Sequence, residues 1–218
     1  MQKRLLRSSL RDELAMTTAV LKVDPKSPDG YSISYAAALL ASGALVAFPT
    51  ETVYGLGANR ASAGAMAALA RAKNRPKGKA FTVHISSGKM VGRMGCRITP
   101  DAARLIKRYW PGPLTVILRS RSGDKIGFRM PANPIAIQLI EAAGVPVAAP
   151  SANLSGNRPP VSAKDVLREM AGRIDLVIDG GKTAVGIEST VVDLSVSPPV
   201  VLREGAIRAR EIFKACRK

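Results

Sequence analysis

The amino-acid sequence predicts a single α/β domain, with a twisted, open, mixed sheet flanked by helices. Short apolar runs such as residues 44–48 and 145–149 end in polar or glycine-containing turns, as strands of open α/β sheets do. Alanine-rich segments that suit helices, such as 34–42 and 61–72, lie between these runs. A chain of 218 residues, of which 46% are apolar, is long enough to bury one substantial core.

The remaining elements follow from their first and last residues. We predict that Gly43 ends the first helix in a left-handed conformation and that three later helices begin at capping residues. These caps are Thr99, Asn133 and Ser162. Further strands are predicted at 81–85 and 114–118, before Met130, and before Gly180. Two β-branched runs at 186–194 and 200–205 indicate neighbouring strands with a short connection.

We divide the chain into an N-terminal extension, residues 1–30, and one domain, residues 31–218. Pro25, Pro28 and Asp29-Gly30 interrupt any periodicity in the extension, so we expect it to be mobile. Its first residues lack the apolar core of a secretion signal, and no apolar run approaches the roughly eighteen residues that cross a bilayer. We therefore expect a cytoplasmic protein without a membrane partner.

The charge balance predicts a polyanionic ligand. The chain has 33 Lys and Arg against 16 Asp and Glu, a net charge of +17. Residues 1–30 contain six basic and four acidic residues, so most of the excess lies in the domain. There it can form a large basic concave cleft that attracts nucleotide phosphates or RNA.

Side-chain nucleophiles and resident metals are poorly supported by the composition. Two cysteines and one histidine cannot form a zinc site or a disulfide framework, and we expect no protein metal site. The segment 180–183 lacks the upstream glycine of a phosphate-binding loop. What remains is a set of cations, hydroxyls and backbone amides, which suits the positioning of anions.

One stretch organises the rest of the chain. Phe48-Pro49 ends an apolar strand and is followed at once by Thr50, Glu51, Thr52 and Tyr54. Gly55 and Gly57 then allow the backbone to turn into the next helix, and ligands collect at such strand ends. An ordinary β-to-α turn without a ligand explains this stretch equally well.

Several blocks of sequence resemble the YrdC-like family, the threonylcarbamoyl-AMP synthases that act in the synthesis of threonylcarbamoyladenosine in tRNA. The resemblance covers about residues 33–210, in six blocks that keep the family's order. Four of these blocks are Phe48-Pro-Thr-Glu-Thr-Val-Tyr-Gly-Leu-Gly57, Trp110-Pro-Gly-Pro-Leu-Thr115, Pro150-Ser-Ala-Asn-Leu-Ser-Gly156 and Gly186-Ile-Glu-Ser-Thr-Val-Val-Asp-Leu194. The proline–glycine pairs of the second block are interpreted as shaping the backbone.

The resemblance implies a reaction and a site. Threonine and bicarbonate would give a carbamate that attacks ATP and releases pyrophosphate, with Mg²⁺ carried by the phosphates and no catalytic side chain beyond the positioning residues Lys73 and Arg75. The implied threonine-binding residues are Thr52, His84, Arg129 and Ser189. The implied ATP-binding residues are Lys73, Arg75, Lys79, Ser151, Asn153 and Arg203. The chain departs from the family pattern at Asn74, Ala80-Phe81 and Asn133.

Other interpretations remain open from the residues alone. The basic run 71–79 is also typical of a solvated surface, and a lone strand histidine such as His84 is more often a packed residue than a catalyst. Arg129 has a clearer ligand, since its guanidinium group can pair with an amino-acid carboxylate. A tRNA- or double-stranded-RNA-binding module would explain the charge, and a carbamoyl-adenylate transfer domain would share the resemblance. Downstream threonylcarbamoyl-transfer proteins are expected partners of the synthase.

Overall fold

The computed structural model describes residues 17–76, 78 and 80–216, which form ten strands and seven helices. The strands are β1 Ala19–Lys22, β2 Val46–Phe48, β3 Gly55–Asn59, β4 Val83–His84, β5 Leu114–Arg119, β6 Lys125–Arg129, β7 Val147–Ala148, β8 Leu176–Asp179, β9 Thr190–Asp193 and β10 Val200–Arg203. The helices are α1 Gly30–Ser42, α2 Ala63–Ala72, α3 Lys89–Arg93, α4 Pro100–Tyr109, α5 Pro134–Ala143, α6 Ala163–Met170 and α7 Ala209–Cys216.

All ten strands belong to one open sheet with the order β1-β8-β2-β3-β7-β4-β6-β5-β9-β10. The sheet is mixed, since β1, β2, β4 and β5 each have a parallel neighbour while β3 and β7 pair antiparallel on both sides. Three apolar clusters attach the helices to it: α1 and α5 share one, α2 and α6 another, and α4 and α7 the third. The predicted mixed α/β architecture is confirmed.

The prediction for residues 1–30 differs from the structure over residues 17–30. Strand β1 pairs in parallel with β8 and forms one edge of the sheet, and Val23 is buried. Asp29 caps α1, with its carboxylate accepting a 2.8 Å hydrogen bond from the backbone N of Ser32. The prolines break the periodicity of this segment without removing it from the fold. Residues 1–16 lie outside the described residues.

The turn after β2 leads to a strand and not to a helix. Residues Gly55–Asn59 form β3, which pairs antiparallel with β2, and α2 begins only at Ala63. Gly57 is needed for close packing, because a Cβ at this position would lie 2.9 Å from Leu40 Cδ1 and from Phe48 Cε1. The segment 50–54 is therefore a connection between antiparallel strands, and the prediction of a β-to-α turn is wrong.

The predicted caps are found in place. Thr99, Asn133 and Ser162 each accept a hydrogen bond from the backbone N three residues ahead, and Gly43 has φ of 103°. Within the described part of the chain, no helix has the length and apolar character that crossing a bilayer requires. These capping residues fix where the helices begin and end, and thereby limit where the adjoining strands and their polar side chains lie.

Candidate active site

Eight of the ten predicted site residues line one cleft of about 420 Å³. They are Lys73, Arg75, His84, Arg129, Ser151, Asn153, Ser189 and Arg203. Thr52 is buried behind this lining and contacts it through Arg129. Lys79 lies outside the described residues. Positions separated by up to 130 residues in sequence, such as Lys73 and Arg203, thus meet at a single concave surface.

At one side of the cleft most of the polar groups lie on or next to strands, with Thr52 joining them from the β2–β3 connection. We call this side the strand end: Thr52, His84, Thr115, Arg129 and Ser189. His84 ends β4, Arg129 ends β6, and the two are register partners in a parallel pair. Their side chains therefore leave the sheet at the same level and on the same face. Thr115 lies in β5, and Ser189 directly precedes β9.

Arg129 is a buried cation that already has protein partners. Its Nη2 donates to Glu51 Oε1 at 2.8 Å and to Thr52 Oγ1 at 2.6 Å, while Glu51 Oε2 accepts from the backbone N of Ala132. Burial lowers the pKa of Arg129, whereas Glu51 opposes that shift. Nε is buried with no hydrogen-bond partner among the described residues. Glu51 and Thr52 thus fix the guanidinium group and leave an N–H for a ligand.

His84 is a neutral imidazole at the cleft wall. It is 4% exposed, and neither ring nitrogen has a hydrogen-bond partner among the described residues. Burial, and then the positive charge of Arg129, lower its pKa well below 6.5. The ring packs edge-on against Phe48, with the centroids 6.2 Å apart. His84 can therefore bind a polar ligand without adding a second positive charge beside Arg129.

Ser189 connects the strand end to Arg203. Its Oγ lies 2.9 Å from Thr115 Oγ1, and Arg203 Nη2 donates to Ser189 Oγ at 3.2 Å and to Ser189 O at 2.9 Å. Arg203 Nη1 also donates to Glu188 Oε1 at 2.6 Å. Arg203 is thus held at the cleft by Ser189 and by the partly exposed carboxylate of Glu188.

The opposite side of the cleft is built on loops, and we call it the loop end: Lys73, Arg75, Ser151, Asn153 and Ser155. Lys73 ends α2 and is only 2% exposed. Its Nζ donates to the carbonyl oxygens of Ser151 and, at 2.5 Å, of Asn153. In this structure Lys73 therefore holds the loop that follows Pro150 through the backbone carbonyl oxygens of that loop. This role does not require contact with phosphate.

Arg75 is the more accessible cation of the loop end. Its Nη2 donates to Ala80 O at 2.6 Å, and its guanidinium carbon lies 4.4 Å from the centre of the Phe81 ring. Partial burial lowers its pKa. The cation–π contact shows what Phe81 does at a position where the sequence departs from the family pattern, namely that it supports the neighbouring cation.

Several polar residues in or next to the cleft were not predicted as site residues, among them Glu51, Thr115, Ser155 and Glu188. Thr115 lies in a block that was interpreted as structural, and Glu51 was noticed only as part of a polar turn. Glu188 directly precedes Ser189, and Ser155 follows Asn153 by two positions. Ser155 Oγ is buried with no partner among the described residues. For Glu51 and Glu188, the available signal was a carboxylate directly next to a predicted ligand residue in the sequence.

Metal-binding clusters are absent from the part of the cleft that the described residues form. Nowhere in 17–76, 78 or 80–216 do three His, Cys, Asp or Glu side chains come together in a way that could hold a metal ion. Glu188 lines the cleft and is paired with Arg203, and Glu51 is paired with the lining residue Arg129. A divalent ion in this cleft would have to be held mainly by its ligand's own oxygens, which is a common arrangement for Mg²⁺.

Comparison with known proteins identifies the family. The Sua5/YciO/YrdC family model, described as telomere recombination, matches residues 38–205. The chain belongs to the Sua5/YciO/YrdC family. The threonylcarbamoyl-AMP synthase of Pyrococcus abyssi is 45% identical over 193 residues, which are 84% of this chain and 57% of that protein. The enzyme of the same name from Bacillus subtilis is 42% identical over 199 residues, which are 87% and 58% of the two chains.

The Sua5/YciO/YrdC fold of this chain also matches a solved structure that was determined with an amino acid. Pyrococcus abyssi Sua5 complexed with L-threonine gives a TM-score of 0.86 at 42% identity, covering 91% of this chain and 61% of that one. The predicted YrdC-like membership and fold are thereby confirmed. The chain spans somewhat more than half the length of these relatives.

Proposed function

We propose that this chain forms threonylcarbamoyl-AMP and pyrophosphate from L-threonine, bicarbonate and ATP, as a nucleotidyltransferase in the synthesis of threonylcarbamoyladenosine in tRNA. One observation carries the proposal: a single cleft has a strand end with a buried arginine and a loop end with cations and amides. Relatives at 42–45% identity are named threonylcarbamoyl-AMP synthase, and one relative was solved with L-threonine.

The strand end suits the threonine half of the reaction. Arg129 would bind the carboxylate, since Glu51 and Thr52 occupy only its Nη2 and its Nε stays available. Neutral His84 and the Ser189–Thr115 hydroxyl pair would receive the amino and hydroxyl groups. The amine condenses with bicarbonate, with loss of water, to give the carbamate.

The loop end suits the nucleotide. One carbamate oxygen attacks the α-phosphorus of ATP while the bond from that phosphorus to the β-phosphate oxygen breaks, so pyrophosphate leaves. Arg75, Arg203 and Lys79 would hold the phosphates, and Ser151 and Asn153 the nucleoside. Mg²⁺ would enter with ATP and offset its charge. The protein's contribution is positioning and charge stabilisation, because no described side chain is set up as a nucleophile.

The surroundings of the reaction are part of the same proposal. The adenylate would pass to downstream threonylcarbamoyl-transfer proteins that act on tRNA, and tRNA itself could contact the basic domain. We place the reaction in the cytoplasm, where ATP, bicarbonate and tRNA occur together.

The decisive experiment measures pyrophosphate release. The protein is incubated with ATP, Mg²⁺ and bicarbonate, and each of the standard amino acids is added in turn. We expect release that requires both threonine and bicarbonate, with serine slower by roughly 10- to 200-fold, the range for one methyl group. Release with carbamoyl phosphate and no amino acid would instead favour a carbamoyl-adenylate domain. Salt-sensitive RNA binding without any release would favour an RNA-binding module.

A further inference from the structure

The loop at residues 151–157 is anchored from outside the cleft by a carboxylate. Glu169 lies on α6 and is not part of the cleft lining. Its Oε2 accepts a 2.9 Å hydrogen bond from the backbone N of Leu154 and a 3.1 Å bond from Asn157 Nδ2. Because hydrogen bonds to an ionised carboxylate are stronger than those between neutral groups, Glu169 fixes the middle and the end of this loop.

Lys73 holds the same loop from the other side. Its Nζ donates to the carbonyl oxygens of Ser151 and Asn153, and its own carbonyl accepts from the backbone N of Ser155 at 2.9 Å. A cation and an anion therefore hold one seven-residue segment: the cation donates to two backbone carbonyl oxygens, and the anion accepts from one backbone N–H and one side-chain amide N–H. We call residues 151–157 the clamped loop.

The clamp decides which polar atoms the loop offers to a ligand. Asn153 Nδ2 donates to the carbonyls of Leu154 and Asn157, so the amide orientation is fixed and Oδ1 stays buried with no partner among the described residues. Ser155 Oγ is likewise buried and has no hydrogen-bond partner among the described residues. Buried polar atoms are normally paired, so these two atoms mark positions where a bound molecule completes the hydrogen bonding.

We propose that Glu169 is a positioning residue for the nucleotide. It touches no substrate and acts by holding the clamped loop so that Asn153 Oδ1 and Ser155 Oγ meet the nucleoside. The choice of ATP as the nucleotide rests on the proposed function. Small displacements of such groups are costly, because a shift near 1 Å in a binding group can reduce a rate by about 100-fold.

The test measures ligand binding and does not depend on turnover. Titration calorimetry with MgATP and, separately, with L-threonine compares the wild type with Glu169→Ala, Glu169→Gln and the matched control Arg168→Ala. Arg168 is the exposed neighbour on α6 and contacts Asp165, not the loop. We expect Glu169→Ala to weaken MgATP binding by about 10-fold, which is less than the roughly 100-fold loss that a 1 Å displacement of a binding group can produce. Threonine binding should stay unchanged.

The glutamine variant separates positioning from general stability. Its amide oxygen can accept the same two hydrogen bonds, so Glu169→Gln should retain MgATP affinity within about threefold, less than the loss of one typical hydrogen bond to a charged group. Arg168→Ala should behave as wild type. If Glu169→Ala does not fold, Asn157→Ala removes one of the two bonds and should give a smaller loss of MgATP affinity.

Two results would overturn the assignment of Glu169. Unchanged MgATP affinity in the alanine variant would show that the clamp does not matter for the nucleotide. An equal loss of threonine and MgATP affinity would indicate general damage to the fold. If the wild type binds MgATP but releases no pyrophosphate with threonine, the proposed function fails while the comparison of Glu169 variants remains valid.

Discussion

The two ends of the cleft are constructed differently. At the strand end, the side chains form two hydrogen-bonded pairs, Arg129 with Thr52 and Thr115 with Ser189, and each pair has at least one member on a sheet strand. At the loop end, Lys73 satisfies backbone carbonyls of a segment that has no strand partner beyond a single bridge from Ser151 to Gly55. The strand end is therefore preorganised by the sheet, whereas the loop end depends on a few charged anchors.

This difference separates two kinds of mutational effect. A change at the strand end should remove recognition of one small ligand while the fold persists, because the sheet keeps the backbone in place. A change of an anchor at the loop end should alter both the loop and the stability of the domain, because the anchor is itself buried structure. The predictions below test this contrast in order of decreasing effect.

Arg129→Ala should give the largest loss. Removing a charge-paired arginine from a desolvated site should cost on the order of 2–5 kcal/mol of threonine binding and much less of MgATP binding. Calorimetry with each ligand measures the two losses. The substitution leaves Glu51 buried without its cation, so the double variant Glu51→Gln with Arg129→Ala serves as control for folding. Equal losses for threonine and MgATP would contradict the assignment of Arg129.

Lys73→Met should lower stability and nucleotide affinity together. The methionine has a similar shape but leaves the carbonyls of Ser151 and Asn153 without their donor, which should cost roughly 2 kcal/mol of unfolding free energy. Urea denaturation measures this cost, and MgATP calorimetry should show weaker binding with threonine affinity unchanged. Full stability with weaker MgATP binding would indicate that Lys73 contacts phosphate and does not organise the loop.

The local half of this architecture could be predicted from the sequence. Caps such as Thr99 and Asn133 are encoded by neighbouring residues, so these helix starts were predicted correctly. The family resemblance named the site residues, and the structure brings eight of them to one cleft. Strand β1 could not be found this way, because its partner β8 lies about 150 residues later and its own sequence has no strand periodicity. The role of Gly57 was also predicted wrongly, because this residue permits close packing and does not turn the backbone into a helix.

The internal pairing of the site was likewise beyond the sequence. The prediction placed Arg129 and Lys73 as cations for ligands, whereas each already has protein partners at distant positions: Glu51 for Arg129, and the carbonyls of Ser151 and Asn153 for Lys73. The partner of each cation depends on which loops come together in the fold, and no local sequence pattern contains this information. Charge counting therefore identified the kind of site and not its hydrogen bonds.

His84 should make the folded protein sensitive to acid. Its pKa lies well below 6.5 in the folded state, so below pH 6.5 the unfolded chain binds a proton that the folded chain does not. As the pH is lowered below 6.5, the free energy of unfolding should therefore decrease by up to about 1.4 kcal/mol per pH unit, the value for one proton. Urea denaturation between pH 7.5 and 5 measures the slope, and His84→Asn should reduce it. An identical slope in both proteins would show that other groups cause the dependence.

Glu188→Gln should have the smallest effect, although Glu188 forms an ion pair with a predicted ATP-binding residue. The pair is partly exposed, with Arg203 at 42% and Glu188 at 34% side-chain exposure, and such pairs contribute at most about 1 kcal/mol. Arg203 also keeps its side-chain hydrogen bonds to Ser189 O, which do not involve Glu188 and should survive the substitution. Pyrophosphate release should therefore change by less than about fivefold, the equivalent of 1 kcal/mol, whereas Arg203→Ala should reduce it strongly. If both variants lose activity equally, the hydrogen bonds from Arg203 to Ser189 do not suffice to hold the guanidinium group, and Glu188 orients Arg203 as Glu169 is proposed to orient the clamped loop.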